Sequence, residues 1–370
     1  MKTTAANGLS SFQSFPQSIP TPLSEALQVS VVNGKELVFS KPSNSSKDKV
    51  SLTFHRTLRI PMDGKVYPLP PNLGHFPIKK VDDYLHSVPE SWKKHGGVFI
   101  PLYQREAMWI SFSNASSHYP HAIKIGVGKV NALSGEEWDE SMKKRNVQDY
   151  CVAPKQPWLD GINNGNGTIR QFVAMPLGEG YTVEGQVTGH EEHGGLQIVC
   201  YSADEQKRIR KYGHTLQYER LRLMKSSCAS SSCMMEKKKT KKECEMGIAA
   251  GGTMKQTIYE DKLGHDFWDE SSKARVFVHI VNSEMYKQIT GENPPACPIS
   301  AKTYTQYKYP WYDYYAEGSH IETSSILNNT VKTVSQIDKQ KHKWPLQDTT
   351  TIAISNVKVI KANEVRDGDW

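Results

Sequence analysis

The sequence predicts a mainly β protein: an antiparallel β-sandwich or barrel-like amino-terminal domain, then a smaller α+β domain. Three observations carry that expectation. Short apolar runs recur from residue 27 to about residue 203, each bounded by Gly, Pro or Asn. The aromatic residues lean to 17 Tyr and 8 Trp over 10 Phe, which suits strands and surfaces supplied with polar ring atoms. Long helical periodicity is missing from this half, whereas strand-like and helix-like runs alternate after residue 246.

Residues 1–26, rich in Ser, Thr, Pro and Gln, read as a disordered arm. Order begins in LQVSVVNGKELVF, where Asn33-Gly34 lies between β-prone runs and marks a hairpin, because both residues tolerate positive φ. In KVSLTFHRTLRI, Leu52, Phe54, Leu58 and Ile60 share one parity, and Arg56 interrupts the inner face of that strand. PMDGKVYPLPPNLGHFP is too rich in proline for a helix and reads as turns and extended segments. Strands are expected within Gly96–Phe112 and His121–Val130. SGEEWDESMKKR is expected to be a short helix, with Ser134 as its cap, acids in its first turn and Lys/Arg in its last. QDYCVAP, TIRQFVAM, YTVEGQVT and LQIVCYSA each read as a strand. DEQKRIRKYGHTLQYERLRL fits a polar helix or a helix–strand pair.

Between Gln156 and Gly189 the chain is dense in glycine. A phosphate cradle needs a glycine loop that feeds a helix, with Gly-Lys-Ser/Thr in it. No Lys follows Gly167, and the next residues are strand-like. Asn163 to Gly167 and Gly178-Glu179-Gly180 are therefore read as corners where strands reverse.

Residues 27–223 make up the expected β-rich domain, 224–246 a low-complexity basic linker, and 247–365 the small α+β domain. In the last of these, ARVFVHIVN reads as a strand, and NSEMYKQITG as a helix capped by Asn282 or Ser283 and stopped at Gly291. TTIAISNVKVIKA reads as a terminal strand. The chain has 46 Lys+Arg against 39 Asp+Glu, a net charge of +7, and five of those lysines sit in the run at 237–242. A nucleic-acid binder spreads its cations over a face, so nucleic acid is not the expected partner. The run could serve nuclear import; a solvated linker is the plainer reading. No stretch of about 18 apolar residues occurs, so no membrane span is expected. The amino terminus lacks a secretory pattern, and six cysteines in 370 residues do not suggest a disulfide scaffold. A cytoplasmic protein is expected.

Two blocks, QPWLDGI…RQFVAMPLGEGYTVEGQVTG…GGLQ and GIAAGGTMKQTIYE with RVFVHIVNSEMYKQITG, resemble a family of microbial proteins from fungi, amoebae and bacteria that has no assigned activity. They cover about a quarter of the chain. The resemblance implies one recurring architecture for both halves and carries over no catalytic residue.

The most site-like set is Trp158, Asp160, Arg170, Gln171 and Glu184, which would line one end of a sandwich and hold a glycan, the indole against a sugar face. Otherwise Trp158 plugs the core, Asp160 caps a turn and Arg170 pairs with Glu184. Tyr304, Tyr307, Tyr309, Trp311, Tyr312 and Tyr314 form a cluster suited to an interface or to covering a core. His190 and His193 are three apart between glycines, unlike the four-residue helical spacing of zinc-binding pairs. Cys228, Cys233 and Cys244 lack paired knuckle spacing, and His279 in VFVHIV has no nucleophile motif beside it. No metal and no cofactor is implied. The expected function is a non-enzymatic β-rich scaffold or binding protein, partnered by another protein or by itself. The alternative is a carbohydrate-active enzyme or lectin that uses Trp158 and nearby carboxylates.

Overall fold

The computed structural model describes residues 25–220, 245–315, 318–343 and 349–361, with side chains left aside at 214–220, 315 and 361. The chain reverses at Asn33 and Gly34, with φ of +52° and +62°. This hairpin joins β1 (Gln28–Val32) to β2 (Glu36–Ser40) with Val32 opposite Glu36. β3 (Lys49–Thr57) pairs next to β2 and buries Val50, Leu52 and Phe54. Arg56, the cation in that inner row, is met by Glu106, whose Oε1 lies 2.6 Å from Nη2. The proline-rich stretch supplies two short strands, β4 (Val66–Tyr67) and β5 (Asn72–His75), and β6 (Lys79–Lys80) follows it before α1 (Glu90–His95).

Then follow β7 (Val98–Leu102), β8 (Ala107–Asn114), β9 (His121–Val127), β10 (Val130–Asn131) and β11 (Cys151–Ala153). The glycine-rich region gives β12 (Trp158–Leu159), β13 (Gly161–Gly165), β14 (Thr168–Pro176) and α2 (Val183–Thr188). β15 (Leu196–Ala203) and α3 (Glu205–Arg220) lead to residue 220, so the polar segment there is a helix. The later elements are β16 (Glu245–Lys255), β17 (Trp268–Asn282), α4 (Ser283–Thr290), α5 (Ala301–Gln306) and β18 (Trp311–Tyr315). α6 (Ser325–Thr330), α7 (Val334–Gln340) and β19 (Val357–Lys361) complete the described chain.

The protein is mainly β. Strands β1 to β17 belong to one large, mostly antiparallel sheet, while β18 and β19 form a small parallel pair. Along the large sheet β3 pairs with β8, β8 with β14, and β14 with β16. β16 meets β17 at Glu245 and Met246, and β17 continues through β15 to β9. β4 and β7 add parallel pairings to β16 and β17.

The boundary expected at 224–246 does not divide the sheet. β14 runs along β16 from Thr168 opposite Lys255 to Pro176 opposite Met246, so strands from both sides of 221–244 lie in the same sheet. The sequence of β16 explains this: GIAAGGTM is buried at nearly every position, and a strand apolar on both faces needs neighbours on both sides. One core accordingly gathers Leu52, Phe54 and Ile110 with Ile248, Ile280 and Trp311. The arm to residue 24, the lysine run at 237–242 and Cys228, Cys233 and Cys244 lie outside the described residues.

Two elements differ from expectation. Residues 134–145 do not form the short helix. Their carbonyls are claimed by side chains of the sheet: Lys124, fully buried in β9, donates to Asp139 O at 3.0 Å and Ser141 O at 2.7 Å, and Lys273 donates to Glu140 O at 3.0 Å. These bonds tie the segment to the sheet through its backbone. YTVEGQVT, expected as a strand, contains helix α2 instead. The Thr182 hydroxyl accepts from Gly185 N at 3.0 Å, and Gly189 closes the helix in left-handed backbone. α4 forms as expected, capped by Asn282 and stopped by Gly291. α7 docks on the sheet through Asp338, which takes two 2.8 Å bonds from Arg105 and one of 2.7 Å from the Tyr181 hydroxyl.

Candidate ligand pocket at Trp158

β12 is held on β8 with Trp158 opposite Ser111, and two glutamines fix its backbone from the other side. Gln156 Nε2 donates to Trp158 O at 2.8 Å, and Gln156 Oε1 accepts from Tyr259 N at 2.9 Å. Gln256 Oε1 accepts from Asp160 N at 2.9 Å, and its Nε2 donates to Trp158 O at 3.2 Å. With its main chain pinned, the half-buried indole forms one wall of a pocket of about 500 Å³. Tyr314 meets that indole edge to face, with centroids 4.6 Å apart and planes at 77°. Tyr259 and Lys255 complete the wall, and Asn166, Gly167 and Thr168 form the rim. Asn166 and Gly167 take φ of +51° and +68°, so the corner between β13 and β14 also shapes the mouth.

Asp160 sits behind the indole, 5% exposed, with Oδ2 accepting from Trp158 Nε1 at 2.5 Å. Burial disfavours its charged form more than that bond supports it, and its pKa is pushed up to about 7. The carboxyl therefore changes charge near neutral pH, directly against the ring that faces the pocket.

The other three expected residues turn elsewhere, each toward backbone groups. Gln171 bridges Leu58 O at 2.9 Å and Ile60 N at 3.1 Å. Glu184 accepts from the amides of Glu192, His193 and Gly194 at 3.0, 2.9 and 2.9 Å. Arg170 donates to Leu327 O at 2.8 Å and to Val331 O. Arg170 and Glu184 thus do not pair.

The aromatic cluster divides three ways. Tyr304 and Trp311 are buried in the main core, Tyr304 with its hydroxyl on Pro310 O at 3.0 Å. Tyr307 and Tyr309 are exposed at 69% and 53%, with rings 6.0 Å apart. Tyr312 exchanges backbone bonds with Leu69, and Tyr314 joins Trp158.

His279 is a satisfied core histidine, stacked between Trp92 at 4.5 Å and Phe277 at 4.2 Å, with Nε2 3.0 Å from Gly96 O. Burial pushes its pKa down to about 3, so the neutral ring donates to that carbonyl. The loop carrying His190 and His193 is wrapped around the Glu184 carboxylate. Among the described residues no group of three or more His, Cys, Asp or Glu could hold a metal ion. Nor is any helix there long and apolar enough to cross a membrane. No protein-family model matches the chain, and no curated protein or solved structure shows significant similarity to it.

The sequence reading missed Gln156, Lys255, Gln256 and Tyr259 as members of the pocket and placed Tyr314 in an interface. The residues are visible in the sequence, but nothing local ties Gln256 or Tyr314 to an indole about 100 to 156 positions away.

Proposed function

We propose that the chain is a binding protein whose site is the pocket over Trp158 and whose ligand is a polyhydroxylated ring of the glycan type. The observation that carries this reading is the half-buried indole, its main chain held by two glutamines and its N–H by Asp160, facing a cavity with Tyr314 and Tyr259 beside it. Aromatic faces pack against the C–H face of a sugar, and Asn166 in the lining brings an amide suited to its hydroxyls. Binding is favoured over hydrolysis by the acids present. Glycosidases set two carboxylates across the scissile bond. Here Asp160 lies behind the indole, and Asp313 is held by Lys255 at 3.0 Å.

A glycan array followed by calorimetry on the best ligand tests this. Trp158→Ala is expected to weaken binding at least tenfold with the fold retained. Absence of any glycan ligand, or equal affinity in Trp158→Ala, would remove the proposal.

Self-association is the second reading, favoured by exposed apolar side chains near the β18–β19 pair. Tyr307 is 69%, Val359 63% and Tyr309 53% exposed. Light scattering over a concentration series should then show a dimer that Tyr307→Ser/Tyr309→Ser dissociates; a monomer throughout would exclude it. A cytoplasmic location, with nuclear import through residues 237–242, belongs to the same proposal.

A further inference from the structure

A buried guanidinium is costly unless an opposite charge accompanies it. Among the described residues three arginines are buried: Arg56, Arg170 and Arg208. Arg56 holds Glu106 at 2.6 Å, and Arg208 holds Glu205 at 2.6 Å. Arg170, only 7% exposed, meets neutral oxygens alone among the described residues: Leu327 O at 2.8 Å, Asn328 Oδ1 at 3.3 Å and Val331 O. Its Nε has no hydrogen-bond partner there. Two of those carbonyls belong to the end of α6, whose dipole offers at most about half a negative charge, and α6 has only six residues. Capping a helix end explains the bonds and leaves the charge uncompensated.

Arg170 lines a second cavity, of about 840 Å³, together with Lys332 and Lys339. Neither lysine side chain makes an ion pair among the described residues. Among the described residues the lining holds one acid, Asp63, whose carboxylate already accepts from the Tyr67 hydroxyl at 2.8 Å, the Thr351 hydroxyl at 2.7 Å and Lys65 N at 3.1 Å. Among the described residues, three cations against one engaged carboxylate leave a surplus of two positive charges. Asn164, Asn328 and Thr253 add neutral donors around it.

We infer that this cavity binds a doubly charged tetrahedral oxyanion, phosphate or sulfate, which supplies the counter-charge that Arg170 lacks among the described residues. The inference does not depend on the Trp158 reading, but the two sites are neighbours. Thr168 and Lys255, opposite each other at the Trp158 pocket, lie two residues along the same ladder from Arg170 and Thr253, roughly 7 Å at strand rise. The oxyanion can therefore arrive free or as an ester on a sugar.

Calorimetry at low ionic strength with inorganic phosphate, inorganic sulfate and a hexose phosphate tests the inference on the full chain. The wild-type chain is expected to bind at least one of them. Lys332→Ala/Lys339→Ala, which alters exposed side chains only, is expected to weaken that binding at least tenfold. Arg170→Gln should abolish it; if this variant does not fold, the lysine pair decides. Binding of the inorganic ions identifies free anion as sufficient, and binding of the ester alone identifies the sugar-borne source. Trp158→Ala should leave inorganic phosphate or sulfate affinity unchanged. The inference is overturned if none of the three anions binds, if the lysine variant binds as the wild type does, or if Trp158→Ala abolishes binding of the inorganic ions.

Discussion

Asp160 and Glu184 are both buried carboxyls on the glycine-rich segment, 5% and 3% exposed, and the protein treats them in opposite ways. Glu184 receives three backbone amides from the loop at 192–194, and that loop has its shape because the carboxylate sits at its centre. Asp160 receives one indole N–H, and burial leaves its pKa at about 7. A carboxylate that accepts three main-chain amides is a structural device, because it holds the loop around it. A carboxyl with a single side-chain donor behind a pocket-facing ring is poised to respond to what enters. By residue type the two look alike; the count of donors separates them.

The largest test of this contrast is removal of Glu184. Glu184→Ala would orphan three amides, and a loss of about 3–5 kcal/mol is expected in urea denaturation. A loss below about 1 kcal/mol would break the comparison. His279 sharpens it from the side of the satisfied groups. Its folded pKa of about 3 lies below the ordinary 6.5, so the unfolded chain binds the extra proton between those values. Its contribution is full above pH 6.5 and fades as pH falls, by about 3 kcal/mol at pH 4. His279→Gln should flatten that region of the stability–pH curve, and an unchanged slope would show that the ring ionises in the fold.

Asp160 should give the opposite slope. Its folded pKa of about 7 lies above the ordinary 3.8, so its contribution is full below pH 3.8 and is lost as pH rises through 7. Asp160→Asn keeps an acceptor for the indole and removes the ionisation. It is expected to gain about 2–4 kcal/mol over wild type at pH 8 and little at pH 4. Equal stability at both pH values would place Asp160 among the ordinary satisfied acids. The smallest effect is expected at the surface, where Tyr307→Ser should change monomer stability by less than about 0.5 kcal/mol.

Where an element is decided by neighbours in sequence, it was legible. The Asn33-Gly34 hairpin and α4, with its Asn282 cap and Gly291 stop, follow from local backbone preference. Trp158 and Asp160 stood in one expected set, and the bond between them is what the structure adds. One failure was local, since Thr182 caps and Gly189 closes α2 where a strand was expected; the others were decided at long range. The segment 134–145, expected as a helix, is tied to the sheet by Lys124 and Lys273, and no local pattern announces those bonds. Arg170 was expected near Glu184 but takes its partners from 157 and 161 residues away. Tyr314 reaches the pocket only because β18 crosses to Trp158.

The most direct test is the Trp158 indole N–H resonance, assigned by its loss in Trp158→Phe and followed over pH 5–9 with and without a glycan selected on the array. The Asp160 carboxyl bonded to that nitrogen predicts a shift with a midpoint near 7 in the free protein, abolished in Asp160→Asn and displaced by the ligand. A resonance that stays flat across this range and ignores the ligand would contradict the assignment of this pocket as the binding site.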